Sequence, residues 1–192
     1  MQDFYLKYKI CVSGAAETSH CGEESFAVAE ELGKEIIRQG AVMVDGATTG
    51  FPFWAAKGAK KEGGIVVGVS PADSKREHVA TYELPVDYHD IIMYTGHGYS
   101  GRNLLLTRMA DAVVVGCGRM GTLNEFTIAF EDKKPIGVLE GSWESDEVIK
   151  LLIEKSQRAN EMKDKIVFSS DPKDLIAKVI AKIQDEEKNG FK

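Results

Sequence analysis

The sequence predicts a single three-layer, doubly wound α/β domain with a mostly parallel sheet. Three observations carry that expectation. Short runs that are apolar throughout alternate with segments of helical periodicity, as for strands covered on both faces. The loops that follow these runs are rich in Gly, Ser or Thr. A chain of 192 residues, 43% hydrophobic and 28% charged, suits one substantial core. The domain is expected to span residues 1–192, with 185–192 a frayed, charged tail.

Lys-Ile-Cys-Val-Ser at 9–13 reads as the first strand. Residues 25–39 read as a helix because Phe26, Ala29, Leu32 and Ile36 recur at helical spacing. The unit repeats as a strand over 41–44, a helix over about 53–62, a strand over 64–69 and a short strand over 90–94. The second half continues with a helix over 102–109, strand 112–115, helix 123–131 and strand 135–139. A helix over 146–158, a strand over 165–168 and a helix opened by Ser170-Asp171-Pro172 and running to about Gln184 complete it. The alternation is Rossmann-like, and ligands of such sheets bind beyond the carboxyl ends of the strands.

A net charge of −6 and a pI near 5.3 argue against nucleic acid, although one basic pocket remains compatible with them. No apolar stretch approaches the roughly 20 residues that span a bilayer, so no membrane partner is expected. The first residues lack a signal-peptide pattern, which predicts a cytoplasmic location. Cys11, Cys21 and Cys117 are odd in number and widely spaced, so neither a disulfide framework nor a metal knuckle is expected. His20 beside Cys21 lacks a second ligand pair at knuckle spacing and reads as a loop, so no metal ligands are assigned.

The strongest site signal is Gly116-Cys117-Gly118-Arg119-Met120-Gly121-Thr122. It follows a strand and opens a helix, where positive-φ glycines and free backbone N–H groups would cradle a phosphate. The loop also fits the GxGxxG dinucleotide fingerprint, with Glu140 one strand later as the ribose-binding acid. That fingerprint normally follows the first strand, which leaves dinucleotide binding as an alternative. Ser13 and Gly14 after the first strand, and Gly46, Thr48, Thr49 and Gly50 after the second, are further ligand contacts. The 45–50 loop is equally explained as a connection in which Pro52 sets the first helical turn. No GxxxxGK[ST] occurs, which excludes a P-loop NTPase.

Arg102 is expected at a helix start, where the dipole disfavours a cation, so a phosphate or Glu125 should compensate it. Glu125 is placed in a capping box, Thr122-Leu123-Asn124-Glu125, reaching back to the Thr122 N–H. Its other reading is a carboxylate facing a ribose hydroxyl, a water or a developing cation.

Gly101-Arg102-Asn103, Ala110-Asp111-Ala112 and the run from Gly118 to Glu125 resemble the superfamily of LOG and molybdenum-cofactor-carrier proteins, over most of the chain. These proteins were once labelled lysine decarboxylases, a name their residues do not explain. The LOG signature is an Arg-Lys pair and then Pro-Gly-Gly-x-Gly-Thr-x-x-Glu. Its catalytic pair falls on Arg102 and Glu125, and its Gly-Thr element on Gly118, Gly121 and Thr122. Asn103, Cys117 and Arg119 stand where that pattern has Lys, Pro and Gly. Gly-Arg-Asn, together with Leu139-Glu140-Gly141-Ser142-Trp143, is closer to the carrier-like branch.

The resemblance implies binding of a phosphorylated, nucleotide-like small molecule, a molybdopterin-type ligand among them, by Gly101, Asn103, Arg119, Met120 and the loops above. It implies a homodimer or higher homo-oligomer and no required cofactor. The alternative it leaves open is a nucleoside 5′-monophosphate phosphoribohydrolase, in which Glu125 steadies water or an oxocarbenium-like ribosyl cation and Arg102 the phosphate or departing base.

Overall fold

The computed structural model describes residues 6–190 and shows one α/β domain built on a seven-stranded, wholly parallel sheet. The elements are β1 (Lys9–Ser13), α1 (Ser25–Arg38), β2 (Val42–Asp45), α2 (Phe51–Lys61), β3 (Val66–Ser70), α3 (Lys75–Ala80), β4 (Ile91–Tyr94) and α4 (Gly98–Met109). There follow β5 (Ala112–Val115), α5 (Met120–Glu131), β6 (Ile136–Leu139), α6 (Ser145–Lys155), α7 (Ala159–Met162), β7 (Ile166–Ser169) and α8 (Pro172–Gly190). Every strand expected from its apolar run is present.

Strand order is β4-β3-β2-β1-β5-β6-β7. The chain builds outward from β1 to one edge, returns through α4, and builds outward from β5 to the other. Parallel pairing of Ile10–Ser13 with Ala112–Val115 therefore marks the switch point, where the loops after β1 and β5 diverge and leave a crevice.

Alternation along these central strands sorts the core into two layers. Ile10, Val12 and Val114 pack with Leu32, Ile36, Phe51, Ala55 and Leu175 of α1, α2 and α8. Cys11, Val113 and Val115 pack with Leu106, Phe126, Phe130 and Ile149 of α4, α5 and α6. Both faces of β1 and β5 are buried, which is why they carry no polar alternation.

Several elements depart from the expectation. α3 is capped by Ser74, whose Oγ accepts from the Glu77 N–H at 3.2 Å while Glu77 Oε2 accepts from the Asp73 N–H at 2.6 Å. This is a reciprocal cap on a six-residue helix too short for its periodicity to register. The expected helix over 146–158 ends at Lys155, and a separate turn, α7, follows. α8 continues to Gly190, past the expected Gln184, with Lys165 on Glu186 at 2.5 Å and Tyr8 on Glu187 at 2.7 Å, so the segment expected to fray from 185 is helical that far.

Candidate functional site

The crevice between the ends of β1 and β5 holds a cavity of about 180 Å³ lined by Gly14, Ala16, Thr48, Tyr99, Arg102, Asn103, Arg119, Gly121, Thr122 and Glu125. Eight of the residues singled out in the sequence thus meet in one place. Ala16 and Tyr99, which lie in two of the same loops but were not assigned as contacts, also line it; the Tyr99 ring lies 5.9 Å from the Arg102 guanidinium carbon.

The 116–122 loop differs from expectation in how it uses glycine. None of its glycines has positive φ. Gly116 is instead required by close approach, because a Cβ there would lie 2.3 Å from the Phe51 ring. Phe51 opens α2 and wedges beneath both this loop and Gly14, whose own Cβ would meet it at 2.8 Å. Three backbone contacts fix the loop: Ala15 N–H to Cys117 O at 2.8 Å, Gly118 N–H to Ser145 Oγ at 3.1 Å, and Ser145 Oγ–H to Gly116 O at 3.1 Å. Ser145, at the start of α6, was not singled out in the sequence.

α5 begins at Met120, three residues earlier than expected, with Arg119 as an N-cap whose side chain does not cap the helix. The first intrahelical donor is the Leu123 N–H, to Arg119 O at 3.0 Å. The N–H groups of Met120, Gly121 and Thr122 therefore belong to the unpaired first turn, at the positive end of the dipole. The Thr122-to-Glu125 capping box does not form, because Thr122 is inside the helix and Glu125 is engaged elsewhere. Ser13 Oγ–H donates to Glu125 Oε2 across the β1–β5 boundary.

Glu125 is 6% exposed. Burial pushes its carboxyl above the usual carboxylate range, Arg102 and the Ser13 hydroxyl pull it down, Asp45 pushes it up, and the net displacement is upward. Arg102 lies in the second turn of α4 rather than at its start, since that helix begins at Gly98. It is also 6% exposed, and its Nε and Nη1 have no hydrogen-bond partner. Such unpaired buried donors cost free energy.

Behind Arg102, Asp45 Oδ1 accepts from the Ala47 N–H at 2.7 Å and from His89 Nε2 at 2.8 Å, and both side chains are buried. His89 Nδ1 sits 2.8 Å from the Asp87 carbonyl. A carbonyl can only accept, so both ring nitrogens donate and the ring is an imidazolium. Burial disfavours that charge, the Asp45 carboxylate and the Asp87 carbonyl favour it, and the net displacement is upward.

The remaining expected residues divide. A Cβ on Gly46 would lie 1.5 Å from Arg102 Nη1, so Gly46 makes room for the guanidinium. Asn103 donates through Nδ2 to Asn124 Oδ1 at 2.9 Å. Thr48 faces the cavity, whereas Thr49 Oγ1 is spent on Ala16 O at 3.0 Å. Gly50 caps α2, and the Phe51 N–H that follows it donates to Ala15 O at 2.9 Å, so that amide cannot meet an anion. Gly101 abuts His97, and Met120 is 78% exposed; neither lines the cavity. Glu140 is held by Lys150 at 2.5 Å.

Cysteine chemistry also differs from expectation. Cys21 and Cys117, 96 residues apart in sequence, form a disulfide that ties the β1–α1 loop to the loop after β5, while Cys11 is a buried free thiol. No described helix is long and apolar enough to cross a membrane.

Known proteins share this architecture. The molybdenum cofactor carrier protein of Chlamydomonas reinhardtii superposes with a TM-score of 0.73 at 29% identity, over 93% of this chain and 99% of that one. The molybdenum cofactor binding protein of Rippkaea orientalis gives 0.70 at 26% identity, over 95% and 98%. DNA processing protein A of Helicobacter pylori, at 19% identity and a TM-score of 0.63 over 91% and 81%, shares the fold alone. An uncharacterized protein of Archaeoglobus fulgidus is 33% identical over 132 residues, 69% of this chain and 80% of that one. Residues 7–176, from before β1 into α8, match the SLOG cluster4 family, and the chain belongs to that family.

Proposed function

We propose that the chain binds a phosphorylated, pterin-nucleotide-like small molecule in the crevice between β1 and β5. The observation that carries this reading is Arg102, buried beside the cavity with two unpartnered guanidinium N–H positions. A phosphate would satisfy them and would also meet the free amides at the start of α5. Arg119 and Thr48 add side-chain donors. A cavity of about 180 Å³ takes a phosphate and its sugar, while the rest of the ligand would extend over the mouth. The names of the structural relatives, carriers and binders of molybdenum cofactor, support the pterin class.

Titration calorimetry against molybdopterin, nucleoside monophosphates and dinucleotides tests the reading. Binding of a phosphorylated member, weakened by Arg102→Ala by about 1.5–3 kcal/mol, is the expected result. No binding to any of them would overturn it. The dinucleotide reading is the weakest, because Glu140 is occupied by Lys150.

A second reading, a nucleoside-monophosphate phosphoribohydrolase, is favoured by one observation: the buried Glu125 carboxyl shares the cavity with Arg102. Water would add to the ribose anomeric carbon as the bond to the base breaks, giving free base and ribose 5-phosphate. Chromatographic detection of both products decides it, and undiminished turnover in Glu125→Ala would exclude that mechanism. The proposal includes self-association, supported by the exposed Leu104 and Leu105 on α4 and testable by light scattering.

A further inference from the structure

A second cluster of chemistry stands beside the cavity and is independent of the phosphate reading. Cys21 and Cys117 are fully buried with Cα atoms 5.7 Å apart. His20 places Nε2 3.7 Å from Cys21 Sγ and 3.5 Å from Cys117 Sγ. One ring nitrogen and two sulfurs, all within 4.8 Å of one another, are a ligand set of soft and borderline donors.

Tetrahedral Zn²⁺, with Zn–S about 2.3 Å and Zn–N about 2.05 Å, spaces a sulfur and a nitrogen ligand about 3.6 Å apart and two sulfurs about 3.8 Å apart. His20 already stands at the first spacing from both sulfurs. Only the sulfur pair must open, by rotation about the Cα–Cβ bonds. The outer shell has a matching form: Glu17 Oε2, ion-paired with Arg119, stands 4.0 Å from His20 Nδ1, a short shift from the hydrogen bond that would orient a metal-bound imidazole. A cavity of about 330 Å³, lined by His20, Gly118, Ser142, Trp143, Glu144 and Ser145, opens on this corner and leaves room for a fourth ligand.

We propose that Cys21, Cys117 and His20, once the disulfide is reduced, form a three-ligand site for a thiophilic cation of the Zn²⁺ class, its fourth position facing this cavity. A dithiol or phosphine reductant supplies two electrons, which break the S–S bond, and two protons end on the sulfurs. Metal binding then releases both protons as the thiolates and the neutral imidazole take the ion. Disulfide and metal are thus alternative occupants of one corner. Through Glu17, the metal-bound state is coupled to Arg119 in the 116–122 loop.

The test uses Co²⁺ as a spectroscopic probe of the whole chain, reduced with a phosphine that is then removed without air. The expected result is one equivalent of tetrahedral Co²⁺ with thiolate-to-metal charge-transfer bands, displaced by Zn²⁺. The oxidised protein should show none, which also excludes Cys11 as the source. His20→Ala should weaken affinity at least about tenfold and Glu17→Gln by a smaller factor. Absence of the bands in reduced protein, their presence in oxidised protein, or an undiminished affinity in His20→Ala would overturn the proposal.

Discussion

Gly46 and Arg102 are fitted to one another: the α-carbon of Gly46 faces the guanidinium so closely that a methyl group there would lie 1.5 Å from Nη1. The guanidinium lines the cavity beside the Tyr99 ring and draws the buried Glu125 carboxyl down, against burial and Asp45, which push it up. Gly46→Ala should therefore displace the arginine without touching any ligand directly. Affinity for the bound nucleotide or pterin should fall about tenfold or more, the equivalent of one charge-assisted hydrogen bond. Calorimetry reads this effect, and unchanged affinity would show that the ligand does not use Arg102.

Glu125 gives the site a pH dependence whose sign follows from its displaced carboxyl. With the folded value raised above the unfolded one, the protonated form is favoured in the native state. Its contribution to stability is fully present below the unfolded value of about 4.3 and is lost as pH rises through the raised native value. Anion affinity should follow the same direction, since the ionised carboxylate faces the incoming phosphate. Glu125→Gln should remove that decline in affinity, measured by titrating a nucleoside monophosphate across the acid-to-neutral range. A Glu125→Gln protein whose affinity follows pH as the parent's does would contradict this account.

Much of the framework was readable because the central strands are apolar on both faces and no other element of a domain this size needs that pattern. The site was readable in its members more than in its connections. Thr122 and Glu125 have the spacing of a capping box, yet α5 starts at Met120 and Glu125 bonds Ser13, a contact that exists only because β5 returns to lie against β1. The cap that does form, Ser74 with Glu77, has the same spacing, although Glu77 accepts from the Asp73 N–H before the cap, and it heads a helix too short to show periodicity. The Cys21–Cys117 pair and the Asp45–His89 pair span 96 and 44 residues and depend on strand order, so no local spacing announces them. Arg102 was found, but its unpaired donors became visible only with its burial.

The Asp45–His89 ion pair makes a second titration. Both ring nitrogens of His89 donate, and its folded value is raised, so its stabilising contribution is present below the unfolded value of about 6.5 and is lost as pH rises through the folded value. Thermal unfolding should therefore become easier as pH rises above about 6.5, apart from any slope that Glu125→Gln removes. His89→Gln should abolish that portion. It should also destabilise the protein by about 3–5 kcal/mol at about pH 6, because the buried Asp45 carboxylate keeps the Ala47 N–H but loses its cation. Equal stability of the two proteins at pH 6 would mean the pair is not an ion pair.

The disulfide should contribute through the unfolded chain. Closing a loop across 96 residues removes conformational freedom worth up to about 4–5 kcal/mol, with about 2–4 kcal/mol the usual measured yield. For a chain of this length each 1 kcal/mol moves the unfolding midpoint by about 2–4 °C, so reduction should lower Tm by about 4–16 °C. The loop that Cys117 anchors is also held by Ala15 and Ser145, so the fold itself should persist after reduction. Thermal melts with and without a phosphine reductant, in a metal-chelated buffer, read the difference. Adding Zn²⁺ to the reduced protein should restore part of the lost midpoint if Cys21, Cys117 and His20 take the ion, because a ligand bound only to the native state stabilises it by mass action. An unchanged Tm on reduction would show that the bond contributes nothing to the native state, whatever its role in the corner beside the cavity.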